Sequence, residues 1–196
     1  VQTCALPIFY NSTTAGAITF NADVASAVAA VTVQTNGALD TDDITFNGTV
    51  TAGATALTVD AAANGDVTFV GAANLASLAV VADVVDLANV FTTGAQTVTG
   101  TDIQLNGTTY TSTGAGALTF NGPVTLTAVT AMTTAGAAGD NIVLNGTVDG
   151  AFGLTLNAGA AGTVTLGGVV GGGAPLASLA ITADMTFING GAVTTT

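Results

Sequence analysis

Ile44-Thr45-Phe46-Asn47-Gly48-Thr49-Val50 decides the fold. Two apolar side chains separated by a threonine lie on one face of a β-strand, with the hydroxyl on the other, because side chains alternate along an extended chain. The Asn-Gly pair tolerates left-handed backbone and ends the strand in a turn. The same apolar-x-apolar-Asn pattern stands at Ile18 to Asn21, Ile103 to Asn106, Leu118 to Asn121, Ile142 to Asn145 and Leu154 to Asn157. Variants occur at Leu57-Thr-Val-Asp60, Val67-Thr-Phe69 and Val164-Thr-Leu166. The chain is a series of short, half-buried strands.

Strand starts at Leu57, Val67 and Leu78 are 10 and 11 residues apart, so three strands and their turns take roughly 20 to 30 residues, the size of one coil of a parallel β-helix. The expected fold is therefore all-β, a parallel β-solenoid of about eight coils. At roughly 4.8 Å per coil, the rod would be on the order of 40 Å long. Tandem β-sandwich modules are the alternative, since about 100 residues is also the size of one such module. A sandwich, however, calls for tight hairpins and a core of large side chains from two facing sheets. With 26 Gly, 8 Phe, 2 Tyr and no Trp, the composition suits narrow stacked layers better.

A longer echo overlies the strand rhythm. Asn11 to Asn21 matches Thr111 to Asn121 at eight of eleven positions, an offset of 100. Leu75 to Asp83 matches Leu176 to Asp184 at seven of nine, an offset of 101, and Ile44 to Val50 aligns with Ile142 to Val148 at 98. The chain divides accordingly into a first long unit, 9–110, and a continuous second unit, 111–196, in which Met185 to Thr196 would open a third. The preceding segment, 1–8, resembles nothing downstream and reads as the translated end of a sequencing adapter, or else as a leader. It contains Cys4, the single cysteine.

Composition excludes whole classes of chemistry. There are 12 acidic residues, all Asp, and no Lys, Arg or His, for a formal net charge of −12. Phosphate recognition by a cationic surface or a P-loop lysine is impossible, so neither nucleic acid nor anionic lipid is an expected partner. A Ser-His-Asp triad, a Cys-His pair and a Schiff-base lysine are excluded as well. The most apolar stretch, Leu75 to Phe91, is too short to span a bilayer comfortably and carries Asp83 and Asp86, so no membrane insertion is expected.

The Asn-Gly-Thr-Val turns, the Pro175-Leu-Ala-Ser-Leu-Ala-Ile-Thr-Ala183 block and the closing Ile188-Asn-Gly-Gly-Ala-Val-Thr-Thr-Thr196 resemble the repeats of giant bacterial surface proteins. These are the filamentous-haemagglutinin-like and autotransporter-like adhesins, and the resemblance covers nearly everything after Tyr10. It implies a right-handed β-helix in a secreted or surface-displayed bacterial protein, extracellular in location. The expected role is a structural stalk, spacer or adhesive fibre segment without catalysis. Its partners would be neighbouring coils of the parent chain and, in the alternative role of a binding module, a glycan or host surface.

Three sets of residues are candidates for more than packing. Asp40, Asp42 and Asp43 form the densest carboxylate cluster, and oxygen ligands suit Ca²⁺. Their spacing is not that of an EF-hand loop, and a solvated turn is the simpler reading. Pairs of Asp also serve glycoside hydrolysis, but no cation is present to tune them. Asn21, Asn47, Asn106, Asn121, Asn145 and Asn157 follow strands and would form amide ladders if coils stack in register. Thr-x-Thr at Thr97 to Thr99, Thr125 to Thr127 and Thr163 to Thr165 would give, in a flat file, an ice-binding-like face, a remote alternative to ordinary outward threonine. Asn11-Ser12-Thr13 matches a glycosylation acceptor by chance composition.

Overall fold

The computed structural model describes residues 8–12, 16–35 and 39–196. Residues 1–7, which include Cys4 and nearly all of the segment set apart above, lie outside them. Every element is a strand: β1 (Ile8–Ser12), β2 (Ile18–Phe20), β3 (Val24–Ala25), β4 (Ala30–Thr35), β5 (Ile44–Phe46), β6 (Val50–Asp60), β7 (Val67–Phe69) and β8 (Ala73–Val81). The succession continues with β9 (Val84–Leu87), β10 (Val90–Thr92), β11 (Gln96–Thr99), β12 (Asp102–Leu105), β13 (Thr109–Ser112), β14 (Leu118–Asn121) and β15 (Val124–Leu126). It closes with β16 (Thr130–Thr133), β17 (Ile142–Leu144), β18 (Val148–Asp149), β19 (Gly153–Asn157), β20 (Thr163–Leu166), β21 (Ser178–Thr182) and β22 (Met185–Ile188).

All pairings between these strands are parallel, which removes the hairpin-built sandwich. The strands form three faces. The first stacks β2, β5, β7, β9, β12, β15 and β18. The second stacks β3, the start of β6, the start of β8, then β10, β13, β16, β19 and β21. The third stacks β1, β4, the ends of β6 and β8, then β11, β14, β17, β20 and β22. Strands β6 and β8 run through the corner between the second and third faces and join these into one 15-stranded sheet. β6 makes that corner with a register shift between Ala52 and Ala56, the local irregularity by which strands bend.

One first-face file runs from Ile18 through Ile44, Val67, Val85, Ile103, Val124, Val148 and Val170 to Val193, which gives eight turns. Turns differ in length, from 17 residues between Ala73 and Val90 to 26 between Asn21 and Asn47, and the corners take up the difference. The interior is stacked like on like. Phe20, Phe46 and Phe69 lie face to face, with ring centroids 4.8 and 4.6 Å apart and planes within 6° and 13°. Leu87, Leu105 and Leu126 continue that file. Each such side chain, fully removed from water, contributes about 1.5 to 3 kcal/mol before entropy is counted.

The long sequence unit does not contain a whole number of turns. From Ile18 the file passes four turns to Ile103, yet Leu118, the partner of Ile18 in the second unit, lies in β14 on the third face. Ile44 on the first face likewise corresponds to Ile142 on the third, and Leu78 on the third to Leu179 on the second. Each unit therefore advances four turns and two faces. Equivalent residues sit one face back in the second copy. A strand reading apolar-x-apolar serves any of the three faces, because each asks only for alternate burial.

Candidate functional site

The carboxylates of Asp40-Thr-Asp42-Asp43 do not converge. Asp40 is exposed in a turn, whereas Asp42 is fully buried just before β5. The Oδ1 of Asp42 accepts the Gly16 N–H at 2.6 Å, and its Oδ2 accepts the Leu39 N–H at 3.2 Å. The Thr35 hydroxyl donates to the Asp42 carbonyl at 2.8 Å. Asp43 points along the axis instead, where its Oδ1 accepts the Asp66 N–H at 3.0 Å. Among the described residues no three His, Cys, Asp or Glu side chains come together to hold a metal ion. The Asp42 and Asp43 oxygens that would face a cation face main-chain N–H groups.

The second unit repeats this arrangement. Asp140, 2 % exposed, accepts the Gly116 N–H at 2.9 Å and the Ala137 N–H at 2.9 Å, while the Thr134 hydroxyl donates to its carbonyl at 2.7 Å. Asn141 then takes the part of Asp43, its Oδ1 accepting the Thr163 N–H at 2.9 Å. In each copy the buried aspartate reaches back to the preceding turn and its neighbour reaches forward to the next. The pair stitches three turns together. The crossing strands are also matched, because a Cβ on Gly65 would lie 2.5 Å from the Asp42 carbonyl oxygen and one on Gly162 2.6 Å from that of Asp140. Sequence reading grouped Asp42 with its exposed neighbours and so missed its role. The signal was there: Asp140 is the one aspartate of the cluster that the second unit keeps, together with Gly116 and Gly162.

Other corners use single side chains in the same way. Asp23 accepts the Thr49 N–H at 2.7 Å, Asp66 that of Val84 at 3.1 Å, and Asn89 those of Thr108 at 2.7 Å and Thr109 at 3.0 Å. Asp149 accepts from Gly173 at 2.7 Å and Ala174 at 3.0 Å. The bond from Thr49 holds the Asp23 carboxyl below its ordinary value, since it favours the charged form. Asp66 is shifted the other way. Partial burial raises it, and the like charges of Asp43, Asp40 and Asp83 add to that shift against the bond from Val84.

The asparagines that follow strands form short ladders at separate corners. Asn47 donates to Asn21 at 3.0 Å after the first face, and Asn145 donates to Asn121 at 2.7 Å after the third. Asn121 extends its ladder to the Thr99 hydroxyl at 3.2 Å. Asn106 joins Asp86 at 3.4 Å and accepts the Thr127 hydroxyl at 2.7 Å. Asn157 turns onto its own loop, where it accepts the Gly159 N–H at 3.0 Å. The one-face offset between units explains the division, since Asn21 and Asn121 end strands on different faces.

Of the Thr-x-Thr pairs, Thr97 to Thr99 and Thr163 to Thr165 lie on the third face, while Thr125 to Thr127 belongs to the first. The outward third-face file holds Phe9, Thr32, Thr58, Ala79, Thr97, Thr119, Val143, Thr165 and Phe187 in order, so its threonines are interrupted. Inside the first turns, Phe20, Val31, Phe46 and Leu57 help line a small apolar cavity of about 20 Å³. Gln96 stands between Leu78 and Leu118 in an inward file that is otherwise apolar from Ile8 to Val164. Its amide donates to the Thr111 carbonyl at 3.0 Å and the Thr92 hydroxyl at 3.2 Å, and its Oε1 has no partner. Tyr110, also buried, donates to the Leu87 carbonyl at 2.7 Å, and burial raises its phenol well above the usual range.

In comparisons with known proteins, no family model, curated protein or solved structure matches the chain.

Proposed function

We propose that this chain is a structural segment, a stalk, spacer or adhesive fibre piece, of a large bacterial repeat protein that is secreted or displayed at the cell surface. The observation that carries the reading is the register kept through eight turns from Ile18 to Val193. Main-chain ladders along one axis on three faces resist extension and bending, because every turn is bonded to its neighbours. Paired clamps at Asp42-Asp43 and Asp140-Asn141 add side-chain stitches at the longer corners. A net charge of −12 keeps rods apart side by side.

The reading includes no catalysis. Most of the buried or half-buried acids described above are engaged with main-chain N–H groups, the opposite of a pair held free over a substrate. Adhesion to a glycan or host protein would use outward threonines such as Thr97 and Thr119.

Small-angle scattering combined with a glycan-binding panel tests the proposal. A rod on the order of 40 Å long, with no saturable binding, is expected. Hydrolysis of a glycan, or a compact particle in place of a rod, would overturn it, and saturable binding of one glycan would replace the passive spacer by the adhesive role.

A further inference from the structure

One turn in the middle of the rod is built differently inside. The strands of residues 90–105 point Val90, Thr92, Gln96, Val98, Ile103 and Leu105 into the core. One turn earlier, Leu75 and Leu78 stand where Thr92 and Gln96 stand here, and every buried strand residue of that turn is Ala, Leu or Val. Gln96 is 1 % exposed and is the one amide among the buried polar side chains described. Its Nε2 faces the Thr111 carbonyl at 3.0 Å, the Thr92 hydroxyl at 3.2 Å and the Val90 carbonyl at 3.3 Å, three acceptors for two protons. Its Oε1 accepts nothing, alone in this among the described buried side-chain atoms. None of these bonds reaches the preceding turn. The main chain changes at the same place. β6 and β8 run unbroken through the corner between the second and third faces, whereas this turn crosses it on the loop Thr93-Gly94-Ala95 between β10 and β11.

We propose that the turn of residues 90–105 is the yield point of the rod, the place between its terminal turns where the stack opens first. Closing an apolar rung removes only hydrocarbon from water and is favourable throughout. Closing this one also strips water from an amide oxygen that finds no donor inside, and that desolvation opposes the closed state. Local opening in a folded chain begins where burial gains least. The turns on either side keep apolar stacks of their own: Phe20, Phe46 and Phe69 lie ring on ring before it, and Phe120, Leu144 and Leu166 are fully buried after it. Opening therefore parts two cores without dissolving either. The inference concerns the fold and stands whatever the role of the chain; in a stalk, this is the turn that gives first under load.

Hydrogen exchange of the full chain, followed peptide by peptide by mass spectrometry, tests it. In the parent, amides of residues 90–105 should exchange about tenfold faster, or more, than those of 73–87 and 118–126. Gln96→Met fills the same space without the amide, and Gln96→Leu gives the file the residue it already has at Leu78 and Leu118. Each should slow exchange of 90–105 by about tenfold. Leu78→Met brings the same new side chain one turn earlier, where no amide is removed, and should not slow it. Protection of 90–105 equal to that of the flanking turns overturns the proposal. So does exchange there that both Gln96 variants leave unchanged or speed, which would make the amide a brace, or that Leu78→Met slows as much as they do.

Discussion

Asp42 and Asp140 hold the same bonds at different corners of the molecule. Each is buried, each accepts two main-chain N–H groups, and each receives a threonine hydroxyl at its carbonyl. Asp42 leads into the first face and Asp140 into the third. A feature fixed by the sequence unit is thus carried round the rod by one face per unit. Carboxylates without any cation in the chain are tolerated inside because the N–H groups of adjoining turns supply the positive ends of dipoles.

Removing the side chain at this position should be costly. Asp140→Ala leaves the N–H groups of Gly116 and Ala137 without their side-chain acceptor at a part-buried corner, a loss of about 1 to 3 kcal/mol. Asp140→Asn keeps one acceptor oxygen and should lose about half as much. Urea unfolding of the two variants beside the parent measures both. Equal stability of Asp140→Ala and the parent would mean that water reaches the corner.

Gly162→Ala should destabilise through the backbone. Its Cβ would stand 2.2 Å from the Ala158 carbonyl oxygen and 2.6 Å from that of Asp140, neither of which can move without disturbing the clamp. A cost of about 1 to 3 kcal/mol is expected. Gly53→Ala meets nothing within 4 Å in the β6 bulge and serves as the control, with a change near zero. Thermal unfolding distinguishes the two.

The strand rhythm was legible in the sequence because it is local. Ile44-Thr-Phe46 is buried, half-buried, buried in β5, as alternation requires, and the parallel stack follows from coil length. The relation between the long unit and the turn was not legible. Turns of 18 and 26 residues look alike when strands are marked only by Asn and Gly, so nothing in Leu118-Thr-Phe-Asn121 says that it lies on another face than Ile18-Thr-Phe-Asn21. The same limit hid the clamp. Asp42 and Asp43 are adjacent and chemically identical, yet one is turned inward towards the preceding turn and the other forward along the surface, a distinction set by the turns above and below.

Stacked rungs should also be interchangeable in kind. Phe46 lies between Phe20 and Phe69 in a file that continues with Leu87 and Leu105. Phe46→Leu gives this turn a residue the same file already uses and should cost about 1.5 kcal/mol or less. Phe46→Ala opens a cavity between two rings and should cost about 3 to 5 kcal/mol. Chemical denaturation reads both, and equal losses would show that the phenyl stack itself is required.

Acidity should act on stability through Asp66. Its carboxyl titrates above the ordinary 3.8 because partial burial, then Asp43, Asp40 and Asp83, disfavour the charge. A raised folded value means that protonation is favoured by folding, so the ionised group weakens the fold at neutral pH and the penalty is relieved as pH falls through that value. Asp66→Asn preserves the oxygen that accepts the Val84 N–H and removes the charge. The variant should therefore melt above the parent at pH 7, and its advantage should shrink as pH falls through the raised value towards the ordinary 3.8. Asp23→Asn should behave oppositely, because the Thr49 bond holds that carboxyl below 3.8 and its contribution is present at neutral pH and lost on acidification. Melting curves for both variants and the parent across this range decide the matter: an Asp66→Asn advantage that stays constant down to and below the ordinary 3.8 would mean that the charge at Asp66 is not what the substitution relieves.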